Sequence, residues 1–193
     1  MIDVDLNAVA IPLDWRELFG REAATDVEIG SGKGRFLLAL ATSRPQRNLL
    51  AVERAGVYHR LCCERAAKHG LTNIRLLRTT AEDLLFRLLR PSSVNTLFIL
   101  FPDPWPKKRH HKRRLIRSDS VAAMAAAIRP AGRLMIKTDH AGYAAVIAEV
   151  LSGEPALRAI DAAAAFAELP VSGFEHKYLN QGREIVVFAS ERP

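Results

Sequence analysis

The chain has 193 residues, 49 % hydrophobic and 25 % charged, with a formal net charge of +7. This is the usage of one globular domain, residues 1–193, long enough to bury a core without a metal or disulfide staple; it excludes a disordered tail, a rod and a disulfide mini-scaffold. No apolar run approaches the ~18 residues that cross a bilayer, and the acidic, mixed start MIDVDLNAVAIPLDW gives no expectation of a signal peptide, so a cytoplasmic protein is expected.

Taken in chain order, VEIG (Val27 to Gly30) predicts a first strand, then a glycine-rich turn and a helix over RFLLALATS, where apolar residues crowd at helical spacing. LLAVER (Leu49 to Arg54) is a second strand, and Gly56 to His69 a helix closed by Gly70, a residue suited to that end. Cys62 and Cys63 fall mid-helix; adjacent cysteines make neither a metal-ligand nor a structural disulfide pattern, so packing roles in a reducing compartment are expected. IRLLR (Ile74 to Arg78) is a third strand, Ala81 to Leu89 a short helix, and NTLFILF (Asn95 to Phe101) a buried fourth strand. After a Pro-rich, basic segment come an Ala-rich helix (Ser118 to Ile128), a strand RLMIKT (Arg133 to Thr138) and a helix (Tyr143 to Leu151). LRAI (Leu157 to Ile160) and EIVVFAS (Glu184 to Ser190) read as the last strands, with Ala162 to Ala167 either helix or loop. Strands alternating with helices predict an α/β fold whose parallel sheet is covered on both faces. Ligands of such sheets bind beyond the strand carboxyl ends, where Gly30, Glu53, Thr80, Asp103 and Asp139 all fall.

Three motifs carry chemistry. EIGSGKG (Glu28 to Gly34) follows the first strand, and Gly30, Gly32 and Gly34 let backbone approach a ligand closely. Its G-x-G-x-G spacing is neither the dinucleotide G-x-G-x-x-G nor a P-loop; a plain tight turn is the alternative. Glu53 ends the second strand, where an acid can accept hydrogen bonds from two ribose hydroxyls, or simply be solvated. Together the two suggest an adenosine-containing cofactor. The third motif is FPDPWPKKRHHKRRL (Phe101 to Leu115), in which Pro102, Pro104 and Pro106 stiffen the loop that holds Asp103 near the strand end. Trp105 is a pocket wall, a stacking surface for a base, or core filling. Lys107 to Arg117 holds seven cations and no acid; without them, the 28 cations fall to 21, against 21 acids. All the basicity is thus one patch, which points to a polyanion held through phosphates. His110 and His111 have no ligand-spaced partners, so no metal is expected.

These residues resemble the bacterial tRNA (guanine-N7-)-methyltransferases of the TrmB type, over roughly Leu13 to Phe188. The Phe101 to Leu115 block lies near the family signature, and EIGSGKG, LTNIRLL (Leu71 to Leu77), IKTDHAGY (Ile136 to Tyr143) and FEHKYLNQGREI (Phe174 to Ile185) follow in the family's order. The resemblance implies a class I methyltransferase fold, Rossmann-like, with a mostly parallel seven-stranded sheet, S-adenosylmethionine as cofactor and tRNA as partner. It implies methyl transfer to N7 of the variable-loop guanine by a monomer or homodimer. By matching position, Glu28 faces the methionine end of the cofactor, Glu53 its ribose and Thr80 its adenine. Asp103 is the catalytic position and also borders the cofactor. Lys107 and Asp139 match substrate contacts. Arg109, His110, His111, Lys112, Arg113 and Arg114 match the RNA-contacting run, and Ser172, Gly173, Phe174 and Glu175 the substrate motif.

Three departures stand out. Thr80 replaces an acid, Ser172-Gly173 replaces a Thr and usually a Lys, and only 27 residues precede Glu28, so the basic N-terminal arm of many relatives is expected to be missing. The first two suggest an alternative, a catalytically impaired methyltransferase-fold tRNA-binding protein. The glycines and Glu53 alone would also suit a Rossmann oxidoreductase, against which the glycine spacing speaks.

Overall fold

The computed structural model, which describes residues 2–193, forms strands where the apolar runs lie: β1 (Thr25–Ile29), β2 (Asn48–Val52), β3 (Ile74–Leu77), β4 (Val94–Leu100), β5 (Ile128–Thr138), β6 (Arg158–Ala159) and β7 (Val186–Glu191). They form one seven-stranded sheet in the order β3-β2-β1-β4-β5-β7-β6. The first five strands pair in parallel, and β7 runs antiparallel to both neighbours. The α/β class and the mostly parallel, seven-stranded sheet are as expected.

Every residue of β1 and β4 is buried, as parallel strands covered on both faces must be. Strand alternation sorts their side chains into two cores. Leu97 and Ile99 face one core, built with α5 (Ser118–Ala127), α6 (Ala141–Ser152) and Phe19 of α1 (Trp15–Phe19). Phe98 and Leu100 face the other, built with α2 (Arg35–Ser43), α3 (Gly56–Lys68) and α7 (Ala162–Phe166). Phe36 of α2 meets Phe98 edge-on with ring centroids 5.1 Å apart. Strand order reverses between β1 and β4, so their carboxyl ends, Gly30 and Phe101, flank the crevice where this architecture binds ligands.

The structure departs from the sequence reading in several places, among them the helix α1, which was not expected. Ala81 to Leu89 is a single α-turn, α4 (Ala81–Asp83), continued by a π-helical turn over Leu84–Leu88. The wider turn, closed by Leu89 N–H donating to Leu84 O at 3.0 Å, turns Leu84, Leu85, Leu88 and Leu89 all into the core. β5 begins at Ile128, not Arg133, because Arg129 to Gly132 bulge between the pairs Val94–Ile128 and Thr96–Arg133. Pro130 has no ladder donor to give there, and Ala131 adopts a φ of 58°. Last, Gly173–Asn180 is a helix, α8, where no helix was read.

The N-terminal segment docks along β3, with Val4 N–H donating to Leu76 O at 3.0 Å. This brings Asp3 within 3.3 Å of the buried His59, and Asp3, His59 and Cys63 place potential ligand atoms within 4.8 Å of one another. Such a trio was not readable from spacing. The Asp3–His59 contact ties the segment to α3, and burial pushes the Cys63 thiol up to about 11. Among the described residues, no helix is long and apolar enough to cross a membrane.

Candidate active site at the carboxyl ends of the first and fourth strands

The floor of the crevice comes from β1, β2 and the turns that follow them. Gly30, Gly32 and Gly34 all have positive φ, at 82°, 53° and 76°, which side chains disfavour. Gly34 is held twice over, because a Cβ there would lie 2.3 Å from Cys62 Sγ. This gives Cys62 a purpose beyond core filling: its bulk fixes how closely α3 packs on the turn. Glu53 ties the same turn down, its carboxylate accepting from Gly32 N–H at 2.8 Å and Ala55 N–H at 2.7 Å. Each oxygen keeps a further lone pair for another donor.

Glu28 behaves differently. It is 5 % exposed, and its Oε2 has no hydrogen-bond partner among the described residues. Burial pushes its carboxyl up to about 8, with the Glu53 charge adding to the effect. The Ser31 hydroxyl beside it also lacks a partner. Buried polar atoms of this kind are uncommon in folded proteins, and each calls for an explanation. Both border a cleft of about 310 Å³, walled further by Gly32, Tyr58, Leu100 and Phe174. A cationic, hydrogen-bonding ligand in that cleft would satisfy them.

The rim comes from the segment after β4 and from α8. Phe101 and Trp105 adopt φ of 58° and 43°, a conformation uncommon for bulky residues and concentrated at functional sites. The Phe101 ring lies 5.3 Å from Tyr178 and 6.3 Å from Phe174, and Phe174 stacks on Tyr178 at 5.9 Å. Phe174 is half exposed. Asp103 is exposed, and no hydrogen bond or ion pair to another described residue engages it. Burial, then the charge of Asp139 and more weakly that of Asp103, raises the Tyr178 phenol, with Arg183 opposing.

Asp139 is paired with Arg183 at 2.6 Å, and Arg183 lies over the Tyr178 ring at 4.7 Å. Glu175 is paired with Lys137 of β5, whose ammonium sits 4.5 Å from the Phe166 ring. Glu175 also closes a capping box with Ser172: Glu175 N–H donates to Ser172 Oγ at 3.1 Å, and Ser172 N–H to the Glu175 carboxylate at 3.2 Å. Ser172 itself is buried, so its hydroxyl orders α8.

The basic run forms a 3₁₀ helix over Lys108–Arg113. Lys107, Lys108, Arg109, Lys112 and Arg113 are exposed, and His110 and His111 half-buried. Arg114 departs from the expected RNA contact: it is 7 % exposed. Its Nε donates to Pro104 O at 2.8 Å and its guanidinium stacks on Tyr143 at 4.8 Å. It braces the Pro-rich loop from inside. Trp105 is not core filling either, lying half-buried between His110 (5.7 Å, edge-on) and the Arg113 guanidinium (5.0 Å). Thr80 caps α4, its hydroxyl accepting from Asp83 N–H at 3.1 Å. The Asp83 carboxylate is taken by Arg87 and Thr79, each at 2.6 Å, so it is not a free substitute for an acid at position 80.

The sequence reading missed Lys137, Arg183, Tyr58 and Tyr178. A lysine inside an apolar strand signals Lys137 once read as buried and paired; Tyr178 and Arg183 fall inside the FEHKYLNQGREI block without being singled out there, and Tyr58 carries no local signature.

The fold and this crevice define a class I methyltransferase. The structure is similar to the 16S rRNA methyltransferase KamB, with a TM-score of 0.66 at 18 % identity over 93 % of each chain, a likeness of fold alone. A family profile described as "Putative methyltransferase" matches residues 22–188. A tRNA (guanine-N(7)-)-methyltransferase of Nocardia farcinica is 40 % identical over 189 residues, covering 92 % of this chain and 70 % of the relative. One of Mycobacterium avium is 46 % identical over 152 residues, 78 % of this chain and 58 % of that relative. The chain thus spans less than two thirds of the length of the latter. On these grounds the chain belongs to the tRNA (guanine-N(7)-)-methyltransferase family.

Proposed function

We propose that the chain is a cytoplasmic enzyme that transfers the methyl group of S-adenosylmethionine to N7 of the variable-loop guanine of tRNA. The observation that carries this reading is one juxtaposition. A buried Glu28 carboxyl, whose Oε2 has no hydrogen-bond partner among the described residues, opens on a cleft whose neighbouring strand end presents Asp103, with a basic run directly behind it.

The residues fit the cofactor. Glu28 and Ser31 would hold its ammonium group, supplying the counter-charge and acceptors that group needs. Glu53, with lone pairs to spare, would hold the ribose hydroxyls, and Thr80 the adenine amine. Gly30, Gly32 and Gly34 leave the backbone close enough for contact. The bound cofactor would supply an electrophilic methyl group on a sulfonium.

Guanine N7 already carries an outward lone pair and no proton, so no base has to remove one. The protein's task is then alignment and charge placement. Asp103 accepts hydrogen bonds from the guanine's own N–H groups, fixing its orientation and raising electron density at N7. The positive φ at Phe101 turns the chain so that Asp103 follows at the strand end, and the Phe101 ring packs into the cluster with Phe174 and Tyr178. Asp139 and Glu175, held by Arg183 and Lys137, position α8 and its Phe174 ring, while Gly173 keeps the start of α8 open to the cleft. Lys107, Arg109, His110, His111, Lys112 and Arg113 hold phosphates.

The direct test is labelled-methyl transfer to two tRNA transcripts, one with guanine and one with adenine at the variable-loop site. Label on the first alone is expected. Label on neither, with tRNA still retained, would overturn methyl transfer in favour of the impaired binder; label on both would overturn the target.

A further inference from the structure

We infer that a second basic groove, between α2 and α3, carries RNA phosphates on the opposite side of the cofactor cleft from the 108–113 run. This rests on the tRNA reading above and extends it to a surface the sequence did not single out.

The groove encloses about 820 Å³. Arg35, Leu38 and Thr42 form one wall at helical spacing along α2, Arg65 and Lys68 the other along α3, and Lys33 lines it too. Four cations line it and no Asp or Glu does. Outside Lys107 to Arg117 the chain balances 21 cations with 21 acids, so four unopposed cations in one groove are a local excess.

Helix stability explains only half of it. Arg65 and Lys68 sit in the last turn of α3, where cations complement the carbonyl ends. Lys33 and Arg35 sit at the start of α2, where a cation faces the positive helix end and is unfavourable. Their charge needs another reason, and an anion in the groove provides it. Arg65 is also placed to hold the groove in shape, donating to Lys33 O at 2.9 Å.

Position selects RNA over a free anion. Lys33, Arg35 and Gly173 line both this groove and the cofactor cleft, so the two are continuous. α2 and α3 cover one face of the sheet, and α5, into which the basic run leads, covers the other. A target guanine inside a chain has phosphates on its 5′ and 3′ sides. One basic surface on each side of the cleft matches that arrangement.

The test uses the whole chain and a full tRNA transcript, with Lys68→Gln and Thr42→Glu, neither of which borders the cofactor cleft. Lys68→Gln is expected to flatten the log–log salt dependence of tRNA binding by about 0.7–0.9, and the double variant to weaken binding about tenfold near physiological salt. S-adenosylmethionine affinity should match wild type in both, and the melting temperature should fall by no more than about 2 °C. Wild-type slope and affinity in the double variant, with wild type binding tRNA, would overturn this inference alone and leave the groove to an acidic protein segment. Loss of cofactor binding in step with tRNA would overturn it too, as a sign that the groove only supports the cleft. Failure of wild type to bind tRNA would overturn the proposed function itself, and the inference with it.

Discussion

The floor and the rim of the crevice are built on opposite terms. At the floor, Glu28 and Glu53 lie where strands β1 and β2 end, against a turn fixed by three positive-φ glycines and by Cys62. There Glu28 is desolvated and held far from its ordinary titration range. At the rim, Asp103 and the cations from Lys107 to Arg113 are mostly exposed and screened by solvent. The difference teaches what each part can recognise. A buried carboxyl discriminates a small ligand by charge and proton count, with little sensitivity to salt. An exposed basic run gathers a polyanion by counterion release, with strong sensitivity to salt. Cofactor binding should therefore follow pH, and tRNA binding should follow salt.

The largest effect expected at the rim is chemical. Asp103→Asn preserves shape and removes the charge, and kcat at saturating tRNA and cofactor should fall by about 10²–10³, while tRNA affinity stays within about twofold. Full methyl transfer by this variant would remove Asp103 from the mechanism. Next is the triple variant Arg109→Gln, Lys112→Gln, Arg113→Gln. Each lost phosphate contact lowers the salt slope by ~0.7–0.9, so affinity near physiological salt should drop by roughly one to two orders of magnitude. Cofactor affinity should stay put, and if it fell equally the run would belong to the fold.

The floor responds to protons instead. Glu28 carries an ordinary value of 4.5 when unfolded and about 8 when folded. The ligand-free protein thus gains from a protonated Glu28 fully below pH 4.5, and loses that gain as pH rises through about 8. Melting temperature should decline across this window in wild type and decline less in Glu28→Gln. Cofactor binding has the opposite sign. An ammonium group favours the ionised carboxylate, so binding expels a proton below pH 8, and wild-type affinity should rise by up to about tenfold per pH unit between 6 and 8. Glu28→Gln should flatten that rise and bind about tenfold more weakly at pH 8. A pH-independent affinity in wild type would show that the carboxyl does not meet a cation.

Local features of both regions are legible in the sequence, and their long-range partnerships are not. The glycine turn, the two acids at strand ends and the Pro-Asp-Pro-Trp loop occupy consecutive positions, so spacing alone locates them. Even α8 had a local sign, because Ser172 and Glu175 are a capping box in the sequence, here read only as part of a substrate motif. By contrast, Lys137–Glu175 and Arg183–Asp139 join residues 38 and 44 apart, and no periodicity reports such a pair. The burial of Arg114 is hidden for a similar reason. It stands in a run of surface cations and differs from them only through Pro104 and Tyr143. The π-turn of Leu84–Leu88 and the bulge before Arg133 are tertiary choices, made because burying four leucines and accommodating Pro130 outweighed regular local geometry.

The smallest effect sits beyond the floor, at Thr80 after the end of β3. Its hydroxyl already accepts from Asp83 N–H as the cap of α4, which leaves a neutral group to meet the adenine amine. Aspartate caps a helix as well as threonine does, so Thr80→Asp should keep α4 and add a charge-assisted acceptor. Because Asp83 is engaged by Arg87, its charge is partly balanced, and repulsion from it should not cancel the gain. Cofactor affinity should tighten by about fivefold, the equivalent of about 1 kcal/mol. Thr80→Asn is the control: it caps equally and carries no charge, so it should bind as wild type does. Equal gains in Asp and Asn would assign the effect to capping, and no gain in either would separate position 80 from the adenine end of the cleft.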